Sequence, residues 1–242
     1  MYLFVAVMPR ETYYADGPQG ASRVKARLEQ ASGERCLIVP YQEFGRDTVR
    51  EFKPRAVVMS GFGRRFEDYP VRGFWGMDEV LRTADLPILA ICGSHQLAGF
   101  CFNGNLRKIR RLKDQPMRSL KPGDPLPRQA SGSDAAGLRQ AACFTAKGFF
   151  EIERVKADPL FAGLPARMTL CCSHYCEVKK LPPGFKLLAR SGHCAIEAMK
   201  HRERCLYGVQ FHPEKFEAPF FHGRKMLENF AGIVEKFWNK NG

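Results

Sequence analysis

Four short apolar runs, Leu3–Met8, Cys36–Pro40, Ala56–Ser60 and Ile88–Cys92, recur through the N-terminal half of the chain, with helix-like stretches between them. Short runs without polar alternation are the mark of strands covered on both faces, as in a parallel sheet. Between them, Ala21–Ala31 carries Val24 and Leu28 at helical spacing, and Trp75–Ala84 reads as a further helix. This β-α-β-α order predicts an open, mostly parallel α/β sheet flanked by helices. The pattern then changes. Candidate strands near 142–155, 168–178, 186–190, 195–200 and 206–211 follow one another with few helices, which predicts an antiparallel extension in the C-terminal half before a final helix at 223–239. No internal repeat and no interdomain linker breaks the chain, so residues 1–242 read as a single domain.

Two segments carry chemistry. In Pro87-Ile-Leu-Ala-Ile-Cys92-Gly-Ser-His-Gln96 a cysteine ends an apolar run and precedes two small residues and a helix-like stretch. Gly93 and Ser94 fit a tight strand-to-helix turn, and the free N–H groups of a helix start favour a thiolate. In Gly208-Val-Gln-Phe-His212-Pro-Glu214 a histidine and a carboxylate stand two apart after another apolar run, with Pro213 limiting the backbone between them. Two apart in an extended segment, both side chains lie on one side. Glu214 can then orient the His212 ring while the ring's other nitrogen serves Cys92 as base.

Hydrophobic residues make up 45% of the chain and charged ones 26%, the balance of a soluble globular protein. No apolar run approaches a membrane span, and no basic segment precedes Met1–Met8 as in a secretory signal. Nine cysteines, an odd number without a regular framework, read as reduced thiols in a cytoplasmic protein. Cys171, Cys172, His174 and Cys176 crowd one segment, but no second Cys-x-x-Cys pair completes a structural zinc site, so no metal and no cofactor are expected. The formal charge of +13 is concentrated at 107–128, where Arg107, Lys108, Arg110, Arg111, Lys113, Arg118, Lys121 and Arg128 face Asp114 and Asp124. Without interleaved aromatics or a nucleic-acid motif, this stretch reads as solvated loop. With its Pro-, Gly- and Ser-rich continuation, 107–142 is expected to be an irregular basic insertion or lid.

With both chemical segments in hand, the chain resembles a class I glutamine amidotransferase domain, the family with a Cys-His-Glu triad. Cys92, Gln96, His212 and Glu214 fall on its nucleophile and distal motifs. Ala56-Val-Val-Met-Ser-Gly61 resembles the strand entering its oxyanion loop, Cys172-Ser173-His174-Tyr175 its Ser-His segment, and Gly223 with Leu227-Glu-Asn-Phe230 its closing helix. The likeness runs from about Met1 to about Phe237, apart from the middle insertion, and implies a flavodoxin-like sheet. Departures occur at Ala90 and Ser94, where the family has glycines, and at Ser60-Gly61-Phe62-Gly63, where a Ser-Gly-Gly-Pro loop is usual. A backbone N–H at Phe62 still serves an oxyanion, although a positive φ there would be costly.

The resemblance implies attack by Cys92 on a glutamine side-chain amide through a γ-glutamyl thioester, with Gly61, Phe62 and Gly93 around the oxyanion. It implies that Gln96 positions the carboxamide and that Ser173 and His174 meet the substrate's α-substituents. The chain ends soon after its last catalytic motif, so a separate synthetase or acceptor subunit is the expected partner. A γ-glutamyl peptide hydrolase, or a catalytically weak protein binding through the basic insertion, are the alternatives.

Overall fold

A computed structural model describes residues 1–15, 20–124 and 143–241. The elements run β1 (Tyr2–Ala6), α1 (Arg10–Ala15), α2 (Ala21–Ser32), β2 (Cys36–Pro40), α3 (Arg46–Phe52), β3 (Ala56–Met59), α4 (Trp75–Thr83), β4 (Ile88–Ile91) and α5 (Gly93–Asn103). Then follow β5 (Ala146–Arg154), β6 (Arg167–His174), β7 (Phe185–Arg190), β8 (Ala198–His201), β9 (Leu206–Val209) and α6 (His222–Asn241).

The nine strands among the described residues join one sheet, ordered β2-β1-β3-β4-β9-β8-β7-β5-β6. Strands β2, β1, β3, β4 and β9 are parallel. From β9 outward every pairing is antiparallel. The fold is therefore the flavodoxin-like class of the sequence reading, with its antiparallel C-terminal extension.

The unbroken apolar runs are explained by two cores, one on each face of the sheet. Tyr2, Phe4, Ala56, Val58, Leu89 and Ile91 pack with Leu28 of α2 and Met226, Leu227, Phe230 and Val234 of α6. Their chain neighbours Leu3, Val5, Val57, Met59 and Ile88 pack with Met77, Val80 and Leu81 of α4 and Leu97, Ala98 and Cys101 of α5. Each buried aliphatic or aromatic side chain contributes about 1.5–3 kcal/mol, so neither face of these short strands tolerates a polar residue.

The extension has a geometric consequence. In the sheet order β6 stands five places from β4. A flat sheet would put them about 24 Å apart, at about 4.8 Å per strand. Yet the Ser173 carbonyl lies 3.9 Å from Cys92 Sγ, just beyond the tip of β4. The antiparallel half therefore curls over the carboxyl ends of the parallel strands, and β6 becomes a wall of the cleft there.

The described part of the basic segment lies along this wall. Pro116 bridges to Cys176 and Ser119 to Cys143, Met117 N donates to Tyr175 O at 2.7 Å, and Leu112 and Met117 are buried. Arg118 grips Asp124 through two bonds of 2.6 and 2.8 Å and covers the Phe144 ring at 4.7 Å. The remainder of the expected insertion, 125–142, lies outside the described residues.

Candidate active site

Cys92 sits between β4 and α5 with φ 51° and ψ −107°, one of two non-glycine residues with positive φ among those described. Such a conformation is strained for a side chain with a Cβ and persists only where its surroundings enforce it. Here Cys92 N donates to Val209 O at 2.7 Å, and Cys92 O accepts from Gln96 N at 3.0 Å. The strand-to-helix elbow of the sequence reading is present, with the thiol held above the first turn of α5.

Residue types around the elbow follow from close approach. A Cβ at Gly93 would fall 2.5 Å from the Phe62 ring, and one at Gly61 3.0 Å from His212 Cε1 and 3.3 Å from Cys92 Cβ. Gly93 thus cannot carry a Cβ unless Phe62 moves, and at Gly61 a Cβ would press on both His212 and Cys92. Ser94, where the family has glycine, donates its hydroxyl to Ser60 O at 2.6 Å, and Ser60 Oγ accepts from Val7 N at 2.9 Å. That bond ties the loop after β3 to α5. Phe62 does not adopt positive φ, so the backbone penalty considered for it is not incurred. Its ring stacks on Phe74 at 5.3 Å and lies against Phe66 and Tyr69, which explains an aromatic residue in this loop.

The distal pair is assembled beside β9. His212 Nδ1 is 2.7 Å from Glu214 Oε1, and the same imidazole and the Cys92 thiol both lie against Gly61. All three side chains are buried. Burial works against a charged imidazole, but Glu214 and Cys92 outweigh it, and the His212 pKa is raised. Burial likewise opposes ionisation of Glu214, and His212 outweighs it, holding the carboxyl below its ordinary range. A thiol, an imidazole and a carboxylate that holds the ring in register are thereby in one place.

Several groups hold this arrangement. His212 N donates to Cys171 O of β6 at 2.7 Å. Arg27 of α2 donates to Glu214 O and, at 2.9 Å, to Phe216 O, with its guanidinium 4.0 Å over the Phe216 ring. Gln210 is fully buried with its side-chain nitrogen 3.7 Å from Cys92 Sγ. Neither Arg27 nor Gln210 has a role in the sequence reading. Gln210 is within reach of it, since it shares the alternation that places His212 on the cleft side. Arg27 has no sequence signal, because only the fold brings α2 to the residue after Glu214.

The other expected residues divide. Gly61, Phe62 and Gly93 border Cys92, and Ser173 is exposed with its carbonyl beside the thiol. Gln96 is buried, and its side-chain nitrogen donates to Cys176 O at 2.8 Å and Gln210 Oε1 at 3.0 Å. His174 is buried with Nδ1 on Cys176 O at 3.0 Å. Its side chain also lies with those of Cys172, His193 and Glu197.

The comparisons with known proteins agree with this geometry. The family described as Glutamine amidotransferase class-I matches residues 22–233. A glutamine-hydrolyzing GMP synthase subunit from Pyrococcus furiosus is 35% identical over 187 residues, 77% of this chain and 79% of that one. The protein of the same description from Thermococcus kodakarensis is 32% identical over 224 residues, covering 90% and 95%. Among solved structures, the glutaminase domain of CTPS from Trypanosoma brucei, with bound acivicin, has a similar fold, with a TM-score of 0.63, 17% identity, and coverage of 97% of this chain and 93% of that one. Triad geometry, sheet order and sequence family coincide, and the chain belongs to the class I glutamine amidotransferases, as an enzyme of that family.

Proposed function

We propose that this chain hydrolyses the side-chain amide of glutamine and passes the ammonia to a separate synthetase subunit, as the glutaminase component of a GMP synthase. The observation that carries the reading is His212 held between Glu214, at 2.7 Å, and the Cys92 thiol in a buried cleft. The descriptions of the Pyrococcus and Thermococcus relatives support the choice of assembly.

In the first half-reaction His212 takes the thiol proton and Cys92 Sγ bonds to the amide carbon. The carbonyl oxygen becomes an oxyanion facing the Gly93 N–H and the N–H of Phe62, each donor worth about 3–4 kcal/mol in such sites. Collapse breaks the C–N bond, His212 returns the proton to nitrogen, and ammonia leaves a γ-glutamyl thioester on Cys92. In the second half, His212 deprotonates a water that adds to the thioester. The C–S bond breaks, glutamate departs, and the thiolate regains its proton. Gln96 and Gln210 act beneath the nucleophile as a hydrogen-bonded pair, and Ser173 stands where the substrate's α-substituents enter.

The test is ammonia release from L-glutamine and from γ-glutamyl peptides, with Cys92→Ala as control, together with mapping of a thiol-trapping glutamine analogue. Turnover of glutamine that is lost in Cys92→Ala, with the label on Cys92 in preference to the other eight cysteines, is expected. Labelling chiefly elsewhere, or turnover confined to γ-glutamyl peptides, overturns the proposal.

A further inference from the structure

Behind the catalytic wall lies a second group of chemistry-bearing side chains. Strand β6 presents Cys172 and His174 from one face, two residues apart. The connection from β7 to β8 brings His193 and Glu197 to meet them. One ligand atom from each of the four lies within 4.8 Å of every other. Cys172, His174 and Glu197 are buried, and the His193 side chain is 10% exposed.

Three polar atoms here, His174 Nε2, His193 Nε2 and Glu197 Oε2, have no hydrogen-bond partner among the described residues, and the nearest anion to His193 Nε2 is Glu197 Oε1 at 3.4 Å. Buried polar atoms are ordinarily satisfied, and three converging orphans call for an occupant.

We propose that Cys172, His174, His193 and Glu197 form a structural zinc site, distinct from the catalytic triad. The donor set is mixed sulfur, nitrogen and oxygen, which suits a borderline ion such as Zn²⁺ and not the hard oxygen-seeking Mg²⁺ or Ca²⁺. Four protein ligands fill a tetrahedron and leave no open position, the pattern of structural sites. Tetrahedral zinc, with bonds of about 2.0–2.3 Å, separates its ligand atoms by roughly 3.3–3.8 Å, so the observed group needs only a small contraction. The charges also balance. A thiolate and a carboxylate with two neutral imidazoles cancel a dication, which removes the cost of burying Glu197 and Cys172 as lone anions.

The surroundings match the support that ligands of a metal usually receive. His174 Nδ1 donates to Cys176 O at 3.0 Å, which leaves Nε2 with its lone pair toward the cluster. Ser191 Oγ donates to Glu197 Oε1 at 2.8 Å and also accepts from Cys194 N at 3.0 Å, folding the β7–β8 connection around the site. The rings of Phe144 and Phe150, 5.2 and 5.0 Å from His193, supply an apolar shell. The Cys171, Cys172, His174 and Cys176 group considered from sequence contributes two members, and the other two come from a different strand connection. Because Ser173 sits between two ligands and its carbonyl borders Cys92, an ion here would brace the wall of the catalytic cleft.

The test uses the full chain expressed with zinc supplied. Metal is counted by elemental mass spectrometry after exhaustive dialysis, and Co²⁺ is then titrated into the stripped protein. One equivalent of zinc per chain is expected, with strong four-coordinate Co²⁺ visible bands and a thiolate-to-cobalt charge-transfer band. Cys172→Ser should lose the charge-transfer band, and His193→Gln and Glu197→Gln should each weaken zinc binding at least about tenfold. Cys92→Ala should keep the full equivalent, which separates this site from the catalytic pair. If Cys172→Ser fails to fold, His193→Gln decides, since its side chain lies at the rim. Substoichiometric metal in the parent chain, unchanged affinity in His193→Gln, or loss of the metal in Cys92→Ala would each overturn the proposal.

Discussion

Strand β6 touches two groups made of the same residue types, and they behave in opposite ways. Through the carbonyls of Cys171 and Ser173 it borders Cys92, His212 and Glu214, and through the side chains of Cys172 and His174 it enters the group with His193 and Glu197. In the first group the imidazole pKa is raised, because an ionised Glu214 at 2.7 Å and the Cys92 thiol outweigh burial. In the second, burial pushes His174 down to about 3 and His193 to about 4. Burial also lifts Glu197 to about 8. Cys172 is likewise pushed far above the usual thiol range by burial. A cysteine, a histidine and a glutamate therefore do not by themselves make an acid–base group. The carboxylate must be hydrogen-bonded to the ring, and Glu214 is, at 2.7 Å from His212, whereas Glu197 stands 3.4 Å from His193.

Five substitutions break or sharpen that contrast. The largest effect is expected at His212, where His212→Ala should lower ammonia release about 10³-fold. His193→Ala should leave kcat within about threefold and lower the melting temperature instead. Comparable losses of kcat in the two variants would erase the distinction. Next, Glu214→Gln keeps a hydrogen bond and removes the anion, so kcat should fall about 10²-fold with little change in KM. The same variant has a signature in pH. The folded pKa of His212 lies above the ordinary value of 6.5, so the stability this group contributes is complete below that value and is lost as pH rises through the folded one. Melting temperatures recorded from about pH 6 to about pH 10 should fall less steeply in Glu214→Gln than in the parent, and parallel curves would contradict the assigned ion pair.

A smaller effect is expected at Gly61. Its added Cβ would stand 3.0 Å from His212 Cε1 and 3.3 Å from Cys92 Cβ, so Gly61→Ala should part the pair and reduce kcat about tenfold with the fold intact. Steady-state kinetics alongside circular dichroism distinguish this from unfolding. The smallest change belongs to Arg27, which acts only through the backbone around Glu214. Arg27→Ala should reduce kcat about threefold and cost about 1–3 kcal/mol of stability, measured by denaturant titration. An Arg27→Ala enzyme as active and as stable as the parent would show that the α2 clamp positions nothing.

The parallel half is legible in the sequence because its strands are buried on both faces and read as unbroken apolar runs, and Cys92-Gly93-Ser94 is a local signal that one segment carries whole. The distal histidine and glutamate are legible for the same reason. Helices α1 and α3 are not, since neither buries a residue and so neither has an apolar stripe to find. The likeness of its segment points His174 toward the substrate, and only the fold reveals that its side chain lies with those of Cys172, His193 and Glu197. His193 and Glu197 give no sequence signal, because each is single and meets Cys172 only once β5 has paired with both β6 and β7. Gln96 matches the family motif, and what its match cannot reveal is that Gln210 and Cys176 occupy its amide.

The curl of the sheet gives the cleft's wall and its floor different origins. Cys92 belongs to the parallel core, whereas Ser173 reaches it on a ribbon, β5 with β6, whose pairing to the rest of the sheet is the short β5–β7 contact at Glu153 and Arg154. Side chains complete the fastening, since Met168, Leu170 and Cys172 of β6 and Ile152 of β5 are buried, and Cys171 O accepts from His212 N. The position of Ser173 over Cys92 therefore depends on packing as well as on strand pairing, and a cavity opened under β6 would be felt at the thiol.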